Sequence, residues 1–272
     1  MDLSKVKLVV TDMDGTLLNS KHEVSSKFFS IFSELKNHIH FVAASGRQYN
    51  SIIHKLDAIK DDITVIAENG GFAKQGNQEF MVTKLPTKNV QELIPLIRNL
   101  NGGYAVLCGK NSAYIETKDE HFISLFDEYY IKYEIVDDLS KVTNDEFLKI
   151  AVYHFESSEK HLYPAIKHLE SDVLVKISGQ NWLDISHPDA NKGHALQHLQ
   201  KKLGVGKEET MVFGDYNNDL EMLKLADFSY AMKNAIPNVK EVARFETKSN
   251  NEQGVEFILE QLLRAKKNNL YY

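Results

Sequence analysis

The sequence predicts an α/β protein, built on a doubly wound parallel sheet into which a smaller α+β domain is inserted. Three observations support this prediction. Short apolar runs alternate with longer amphipathic stretches near both ends of the chain, this alternation is lost in the middle, and the length of 272 residues suits one large domain or two smaller ones. Alternating strands and helices are typical of a parallel sheet with helices on both faces.

The outer parts of the chain carry the alternating pattern. Apolar runs rich in Val, Ile and Phe predict buried strands at residues 7–11, 40–44, 64–67 and 211–214. Stretches with an apolar residue every three to four positions predict helices at residues 26–35, 52–56, 193–203 and 220–226. Residues 1–83 and 186–272 are therefore predicted to form one core with a Rossmann-like, doubly wound sheet.

Residues 84–185 show another pattern, in which strand-like runs follow each other with fewer helices between them. Strands are predicted at residues 104–107, 113–116, 147–155, 173–177 and 182–185, and helices at residues 90–100, 121–129 and 160–169. Asn101-Gly102-Gly103 and the stretch 178–181 are typical of turns between antiparallel strands. This segment has a net charge of −5, against −1 for the outer parts. We predict that it is an inserted α+β domain with an antiparallel sheet.

The composition argues against several classes of protein. The 38 Asp and Glu residues outnumber the 32 Lys and Arg residues, whereas nucleic-acid-binding proteins usually have a basic surplus. No apolar run reaches the ~18–20 residues needed to cross a bilayer, and the first residues lack the long apolar stretch of a secretory signal. The single Cys108 allows no internal disulfide. We expect a cytoplasmic protein that binds neither nucleic acid nor membranes, and no feature indicates an obligate protein partner.

Two carboxylates follow the first predicted strand, in the motif Asp12-Met13-Asp14-Gly15-Thr16. Functional sites of open α/β sheets lie at the carboxyl ends of the strands, and Asp12 is predicted to lie at such an end. Two acids this close repel each other unless a cation or hydrogen-bond donors compensate them, and Mg²⁺ prefers oxygen ligands. An Asx turn at the strand end would also explain this motif when it is taken alone.

Two further motifs offer groups that could bind phosphate. Ser45-Gly46-Arg47 follows the second predicted strand, where Ser45 can donate its hydroxyl proton and Gly46 can offer its N–H to an oxyanion. Lys192 opens a predicted helix, where its charge opposes the helix dipole, which suggests that an anionic group compensates it. Taken singly, a helix cap explains Ser45 and a solvated surface position explains Lys192.

The last of the four predicted core strands ends in Gly214-Asp215, and Asn218 and Asp219 follow shortly after. If a helix begins near Asn217, Asn218 and Asp219 lie in its first turn, beside the strand edge. A capped helix with acids in its first turn would explain these residues alone. Together, however, the motifs supply a nucleophile, a metal site, phosphate-binding donors and a cation, and all of them fall in the predicted core.

On these motifs the sequence resembles the haloacid dehalogenase superfamily of phosphohydrolases, and more closely its Cof-type branch with a type IIB cap. The four matching motifs occur in the family's order and together cover essentially the whole chain: Asp12 to Thr16, Ser45 to Arg47, Lys192, and Gly214 to Asp219. The turn at residues 68–71, Glu-Asn-Gly-Gly, is similar to the Asn-Gly turn of the family. The resemblance implies that the inserted domain is a cap over the strand ends of the core.

The resemblance implies a role for each acid. Asp12 would be the nucleophile that forms an aspartyl-phosphate, which splits the hydrolysis into two steps. Asp14 would act first as general acid and then as general base. Mg²⁺ would be held by the carboxylates of Asp12 and Asp215 and the backbone carbonyl of Asp14, with Asp219 in support. The ion would offset the repulsion between an anionic nucleophile and an anionic phosphate.

The resemblance also implies which groups bind the phosphoryl oxygens. They would be the Ser45 hydroxyl, the N–H groups of Met13 and Gly46, the Lys192 ammonium and the Asn218 side chain. Arg47 would have a supporting role. Catalysis of this kind depends mainly on positioning and on charge stabilisation during in-line transfer.

The cap would select the leaving group, and its motion would admit substrate and exclude water. Its negative charge argues against long polyanionic substrates, so a small phosphorylated metabolite such as a sugar phosphate is expected. Trp182, His121 and Tyr153 are candidates to line a pocket, although packing is the commoner role of such residues.

These features favour a Mg²⁺-dependent phosphatase, and two alternatives stay open. A phosphomutase on the same scaffold would protect the phosphoaspartate from water, but no sequence feature favours it. A non-catalytic module that binds phosphorylated ligands would be expected to have lost an acid or the lysine. Asp12, Asp14, Lys192 and Asp215 are all present.

Overall fold

The strands of the computed structural model, which describes residues 2–269, form two separate sheets. Eight strands form the first sheet and six form the second. Both ends of the chain contribute to the first sheet, whereas the second is built from the middle segment alone. This arrangement confirms the predicted α/β core with an inserted α+β domain, which we call the cap domain.

The helices and strands follow each other in three groups along the chain. The first part of the core contains β1 (Leu8–Asp12), α1 (Ser26–Leu35), β2 (His40–Ala44), α2 (Tyr49–Lys55), β3 (Thr64–Ala67), β4 (Phe72–Gln75) and β5 (Gln78–Val82). The middle segment contains α3 (Thr87–Ile97), β6 (Tyr104–Gly109), β7 (Ala113–Ile115), α4 (Glu120–Phe126), β8 (Tyr133–Ile135), β9 (Phe147–Tyr153), α5 (Ser158–His161), α6 (Tyr163–Ile166), β10 (Leu174–Ile177) and β11 (Trp182–Ser186). The second part of the core contains α7 (Lys192–Leu203), β12 (Thr210–Gly214), α8 (Leu220–Leu223), β13 (Phe228–Ala231), α9 (Pro237–Val242), β14 (Phe245–Glu246) and α10 (Gly254–Asn269).

The core sheet has the strand order β14-β13-β12-β1-β2-β3-β4-β5. The strands from β14 to β3 are parallel, as predicted. β4 and β5 form an antiparallel hairpin at one edge, which the sequence analysis did not predict. The hairpin lacks a continuous apolar run because part of it is exposed, and this is why the sequence pattern did not reveal it.

The strand β1 lies in the interior of the core sheet, between β12 and β2. Val9 is paired with Met211 on one side and with Phe41 on the other. All five residues of β1 are buried, since helices cover both faces of a doubly wound sheet. The central position brings the carboxyl end of β1 between the ends of its two neighbours.

The cap sheet has the strand order β10-β11-β9-β6-β7-β8. Its strands are antiparallel from β10 to β7, as predicted. The pair β7–β8 is parallel, and the sequence analysis did not predict the strand β8. The helix α4 connects these two strands, and a helical crossover returns the chain in the parallel direction.

Buried apolar side chains form one cluster in the core and two in the cap domain. Along β9, Ile150 and Val152 belong to one cap cluster, whereas Ala151 and Tyr153 belong to the other, so the cap sheet is buried on both faces. The strands of the cap sheet all lie between Tyr104 and Ser186, while the domain boundaries at residues 84 and 185 stay a prediction. Within residues 2–269, no helix has both the length and the apolar character needed to span a membrane.

Candidate active site

The predicted site residues meet where three parallel strands of the core end. Asp12 is the last residue of β1, Ser45 follows the end of β2, and Asp215 follows the end of β12. These strands are neighbours in the sheet, so residues separated by about 200 positions in the sequence lie side by side. The sheet topology alone therefore assembles the motifs in one place.

Three carboxylates share a small buried space at this edge. Asp12, Asp215 and Asp219 each offer an oxygen, and these three oxygens lie within 4.8 Å of one another. The Thr16 hydroxyl donates to Oδ1 of Asp215 at 3.0 Å. Asp219 accepts at its Oδ2 from the backbone N–H groups of Asp215 and Tyr216, at 2.9 and 3.1 Å, and so it organises the turn that carries Asp215.

Lys192 brings a positive charge to these acids. It is the first residue of α7, which Asn191 caps by accepting from the N–H of His194. Its side chain is fully buried, and its Nζ lies 2.5 Å from Oδ1 of Asp12 and 2.7 Å from Oδ1 of Asp219. The sequence predicted an anionic group beside this lysine. In the structure two carboxylates of the site, those of Asp12 and Asp219, occupy that place. Burial disfavours its charge, but these acids outweigh the effect and hold its pKa above the ordinary value.

One lysine does not balance three buried carboxylates. Burial raises the pKa of Asp12 to about 7, although the Lys192 ammonium opposes the rise. Burial together with the charges of Asp12 and Asp219 raises the pKa of Asp215 to about 9. Both shifts mean that burial and mutual repulsion disfavour the ionised carboxylates, and an all-oxygen set of this kind suits a hard divalent cation such as Mg²⁺. The residues present therefore fit a metal ion at this position.

Asp14 points away from this group and is held by two other side chains. The Nε and Nη2 atoms of Arg47 donate to its two carboxylate oxygens, both at 2.7 Å, and Nδ1 of His22 lies 3.3 Å from Oδ1. Burial would raise the pKa of Asp14, but the hydrogen bonds from His22 and Arg47 outweigh it and hold that pKa well below its usual range. In this arrangement Asp14 is an ionised carboxylate.

One cavity of about 520 Å³ joins the core and the cap domain at this edge. Most of the predicted site residues line it: Asp12, Asp14, Ser45, Gly46, Arg47, Asp215 and Asn218. Met13, Lys192 and Asp219 do not line it, and the side chains of Met13 and Lys192 are fully buried. Lys192 and Asp219 are thus placed to act on the lining carboxylates, with which they are in contact.

The cap side of the cavity contains residues that the sequence analysis did not assign to the site. They include Tyr129, Tyr130, Lys149 and Asp184, together with the turn at residues 178–181, and His22 joins them from the core. Trp182, one of the three aromatic candidates, lines the cavity, whereas His121 and Tyr153 do not. A usable signal is present for two of these residues, because Lys149 and Asp184 are charged residues inside mainly apolar strands.

Comparison with known proteins gives consistent matches over nearly the whole chain. A family model described as haloacid dehalogenase-like hydrolase matches residues 9–259. The chain is 31% identical over 263 residues to the 5-amino-6-(5-phospho-D-ribitylamino)uracil phosphatase YbjI of Escherichia coli (strain K12), with 95% of this chain and 97% of that protein covered.

Solved structures share the same architecture. The structure of SMU.1108c from Streptococcus mutans UA159 has a TM-score of 0.88 and 30% identity, with 95% of this chain and 99% of that chain covered. The subclass IIB sugar phosphatase BT4131 has the same fold, with a TM-score of 0.79 at 22% identity over 94% of this chain and 98% of that chain. The relatives among known proteins are phosphatases, and the chain is likewise a phosphoric monoester hydrolase. Because the family model covers most of its length, the chain belongs to the haloacid dehalogenase-like hydrolases.

Proposed function

We propose that the protein is a Mg²⁺-dependent phosphatase that hydrolyses small, sugar-phosphate-like metabolites through an aspartyl-phosphate at Asp12. One observation carries this proposal. Asp12 ends the central strand, lines the cavity between the two domains, and lies beside Asp215 and Asp219 from the far end of the chain. A nucleophile, a site for a cation and space for a substrate therefore occur together.

Asp12 is the nucleophile in this proposal. Lys192 holds its Oδ1 atom, which leaves the other carboxylate oxygen to attack the phosphorus of the substrate. The bond between phosphorus and the ester oxygen breaks, and the leaving oxygen takes a proton from Asp14. A water molecule then gives a proton to Asp14 and attacks the phosphorus, the bond between phosphorus and the Asp12 oxygen breaks, and inorganic phosphate and the free Asp12 carboxylate result.

Asp14 must change its protonation state during this cycle. The contacts with Arg47 and His22 favour the carboxylate, which is the form that accepts a proton from water in the second step. For the first step we expect the entering substrate to weaken these contacts, so that Asp14 can carry the proton that it gives to the leaving oxygen.

Mg²⁺, when bound, would neutralise charge on the phosphoryl group and on the carboxylates. Asp12 and Asp215 would hold it through carboxylate oxygens and Asp14 through its backbone carbonyl, while Asp219 supports the turn of Asp215. Ser45, the N–H groups of Met13 and Gly46, Asn218 and Lys192 would surround the phosphoryl oxygens, with Arg47 in support. Lys192 would do this from its place beside Asp12.

The substrate proposal depends on the cavity and on the relatives. A volume of about 520 Å³ admits a metabolite of modest size, and the cap wall combines aromatic rings with polar groups. The relative from Escherichia coli is named for a phosphoribityl substrate, which agrees with a phosphorylated polyol or sugar. We infer cytoplasmic phosphometabolites as substrates. No specific observation favours a mutase or a non-catalytic binding role.

The experiment is to measure phosphate release from a panel of phosphomonoesters, with Mg²⁺ and with a chelator. We expect release that requires the metal and that Asp12→Asn abolishes. A mutase would instead convert a hexose 1-phosphate into an isomer without free phosphate. Full activity of Asp12→Asn, or no release from any ester, would contradict the proposal.

A further inference from the structure

A second group of buried charges lies at the contact between the two domains, outside the metal-binding acids. It contains Lys149 from β9 and Asp184 from β11 of the cap domain, and Glu68 from the turn after β3 of the core. All three side chains are at least 96% buried. Lys149 Nζ lies 3.0 Å from Oδ2 of Asp184 and 3.1 Å from Oε2 of Glu68. A buried ion pair of this kind is weak evidence for stability by itself, so its further contacts matter.

The first of these contacts leads to Ser45. Lys149 Nζ donates to the backbone carbonyl of Gly46 at 2.8 Å. That carbonyl belongs to the peptide group whose N–H, on Arg47, donates to the Ser45 hydroxyl oxygen at 3.1 Å. A cation on the carbonyl polarises the peptide and strengthens the hydrogen bond that its N–H donates. Because the hydroxyl oxygen accepts this bond, its own proton is directed elsewhere.

The second contact leads to Asn218. Asn69 donates from its Nδ2 to Oδ2 of Asp184, and its Oδ1 accepts from Nδ2 of Asn218 at 3.0 Å. The carboxylate fixes which end of the Asn69 amide faces the cap, and this in turn fixes the orientation of the Asn218 amide. Asn69 also packs against Gly46, since a Cβ on that glycine would lie 3.0 Å from Asn69 Nδ2.

The turn that carries Asn69 is held in an unusual backbone conformation. Glu68 and Asn69 have φ values of +51° and +52°, in the left-handed region that non-glycine residues rarely adopt. The N–H groups of Glu68 and Asn69 donate to the backbone carbonyls of Arg47 and Ser45, at 3.1 and 3.0 Å. Such strain persists only where the surroundings fix it, and here the strained turn places Asn69 between the cap and Asn218.

We propose that the Lys149–Asp184 pair of the cap domain orients the phosphate-binding groups of the core, Ser45 through the Gly46–Arg47 peptide and Asn218 through Asn69. Lys149 and Asp184 are then positioning residues for phosphoryl transfer, and the cap domain contributes to phosphate binding as well as to the choice of leaving group. This inference rests on the proposed function, in which Ser45 and Asn218 contact the phosphoryl oxygens.

The test is a double-mutant cycle between Lys149→Met and Ser45→Ala, with binding of inorganic phosphate in the presence of Mg²⁺ and kcat/KM for a phosphomonoester as its two readouts. We expect Lys149→Met to weaken both by about 10- to 100-fold in the wild-type background, since small misplacement of binding groups has effects of this size. In the Ser45→Ala background we expect a smaller loss, because the route through the Gly46–Arg47 peptide then ends without a hydroxyl and only the route through Asn69 to Asn218 remains.

Two further variants control for folding and for general contact between the domains. The double variant Glu68→Gln/Lys149→Met keeps the net charge of the buried group. It replaces Lys149→Met in the cycle if Lys149→Met alone does not fold, and it is then compared with Glu68→Gln. Lys176→Met breaks another ion pair between the domains, in which Nζ lies 2.9 Å from Oε2 of Glu221, but it touches neither Ser45 nor Asn218. We expect Lys176→Met to retain phosphate binding and turnover.

The outcomes separate this inference from the proposed function. Equal losses from Lys149→Met in both backgrounds would overturn the inference, because they would mean that the ammonium does not act through the Ser45 hydroxyl. If the wild type binds phosphate without turnover and the cycle is non-additive, the proposed function fails while the orienting role stands. Absence of both phosphate binding and turnover in the wild type would overturn both.

Discussion

Gly15 shows how closely residue types in the site depend on its geometry. It has a φ of +79°, and a Cβ at this position would lie 2.3 Å from Oδ2 of Asp215. Both the backbone conformation and the absent side chain are therefore required, because the turn after Asp14 runs directly against the carboxylate of Asp215, which we propose as a metal ligand. The sequence analysis singled out this glycine only as part of the Asp-x-Asp-Gly motif, since its contact lies about 200 residues away.

We predict that Gly15→Ala lowers phosphatase activity by about 10²-fold, because the new methyl group displaces the Asp215 carboxylate. Gly76 is a matched control, since it has a φ of +53° and a Cβ added there would meet no atom within 4 Å. Both substitutions incur the cost of a left-handed backbone, about 1–2 kcal/mol. Assays of phosphate release and thermal unfolding distinguish the effects. Equal activity of the two variants would contradict this explanation of Gly15.

Glu68 provides a prediction for pH dependence. Burial, opposed by the Lys149 ammonium, raises its pKa from 4.5 to about 6. Between these values the folded protein keeps the proton on Glu68 and the unfolded chain has lost it, so the contribution of Glu68 to stability falls as the pH rises. The shift corresponds to about 2 kcal/mol at most.

The measurement is the free energy of unfolding of the wild type and of Glu68→Gln, by denaturant titration at several pH values. We expect the wild type to lose stability relative to Glu68→Gln as the pH rises from about 4.5 to about 6. Above and below this range we expect the difference in the free energy of unfolding to be constant. A difference that does not vary across this interval would show that Glu68 stays ionised when the protein folds.

At the scale of single elements, the buried parallel strands and the capped helices were the most predictable. The bounds of β2, β3 and α1 agree with the prediction, and Ser25 fixes the start of α1 by accepting from the N–H of Phe28. The helix predicted at residues 160–169 is instead divided into α5 and α6, and Pro164 lies in the first turn of α6. Proline lacks the N–H that a continuous helix needs there. The prediction of one helix followed the apolar periodicity of this stretch, which does not register the proline.

The element α2 and the residues just before it hold a segment of the cap domain mainly through its backbone. Gln48 donates to the carbonyl of Lys132 at 2.8 Å and accepts from its N–H at 3.2 Å. Ser51 donates to the carbonyl of Tyr129 at 2.6 Å, and Arg47 donates to that of Glu128 at 2.5 Å. Sequence reasoning had no access to these contacts because the partners of the three side chains are backbone groups of another domain. Arg47 thus connects Asp14 to the cap domain.

We predict that Gln48→Ala accelerates amide hydrogen exchange at Lys132 and destabilises the protein by about 1 kcal/mol, since it removes the partner of the Lys132 N–H, whereas the Lys132 carbonyl still accepts from the N–H of Ala113. Exchange resolved at single residues by NMR measures the effect. The amide of Val136, which donates to the carbonyl of Ile115 within the cap domain, is an internal control and should be unaffected. Unchanged exchange at Lys132 would contradict the predicted role of Gln48.

At the scale of the whole molecule, the order of strands explains why the site could be predicted in part. Neighbouring parallel strands place their carboxyl ends together, so the motifs after β1, β2 and β12 converge once the core fold is known. The partners of Lys192 and the lining from the cap domain could not be predicted, because they depend on side-chain packing and on how the two domains meet. Charged side chains of both domains thus line the same cavity.

The most direct test of the account is to find which residue carries the phosphoryl group during turnover. The Asp14→Asn variant, which lacks the proposed general acid and base, is mixed with Mg²⁺ and an activated phosphomonoester, quenched rapidly and analysed by peptide mass spectrometry. We expect a phosphoryl group on Asp12 that is labile to hydroxylamine and absent from Asp12→Asn. Hydrolysis of the ester with no phosphoryl group on Asp12, or with one on another residue, would contradict it.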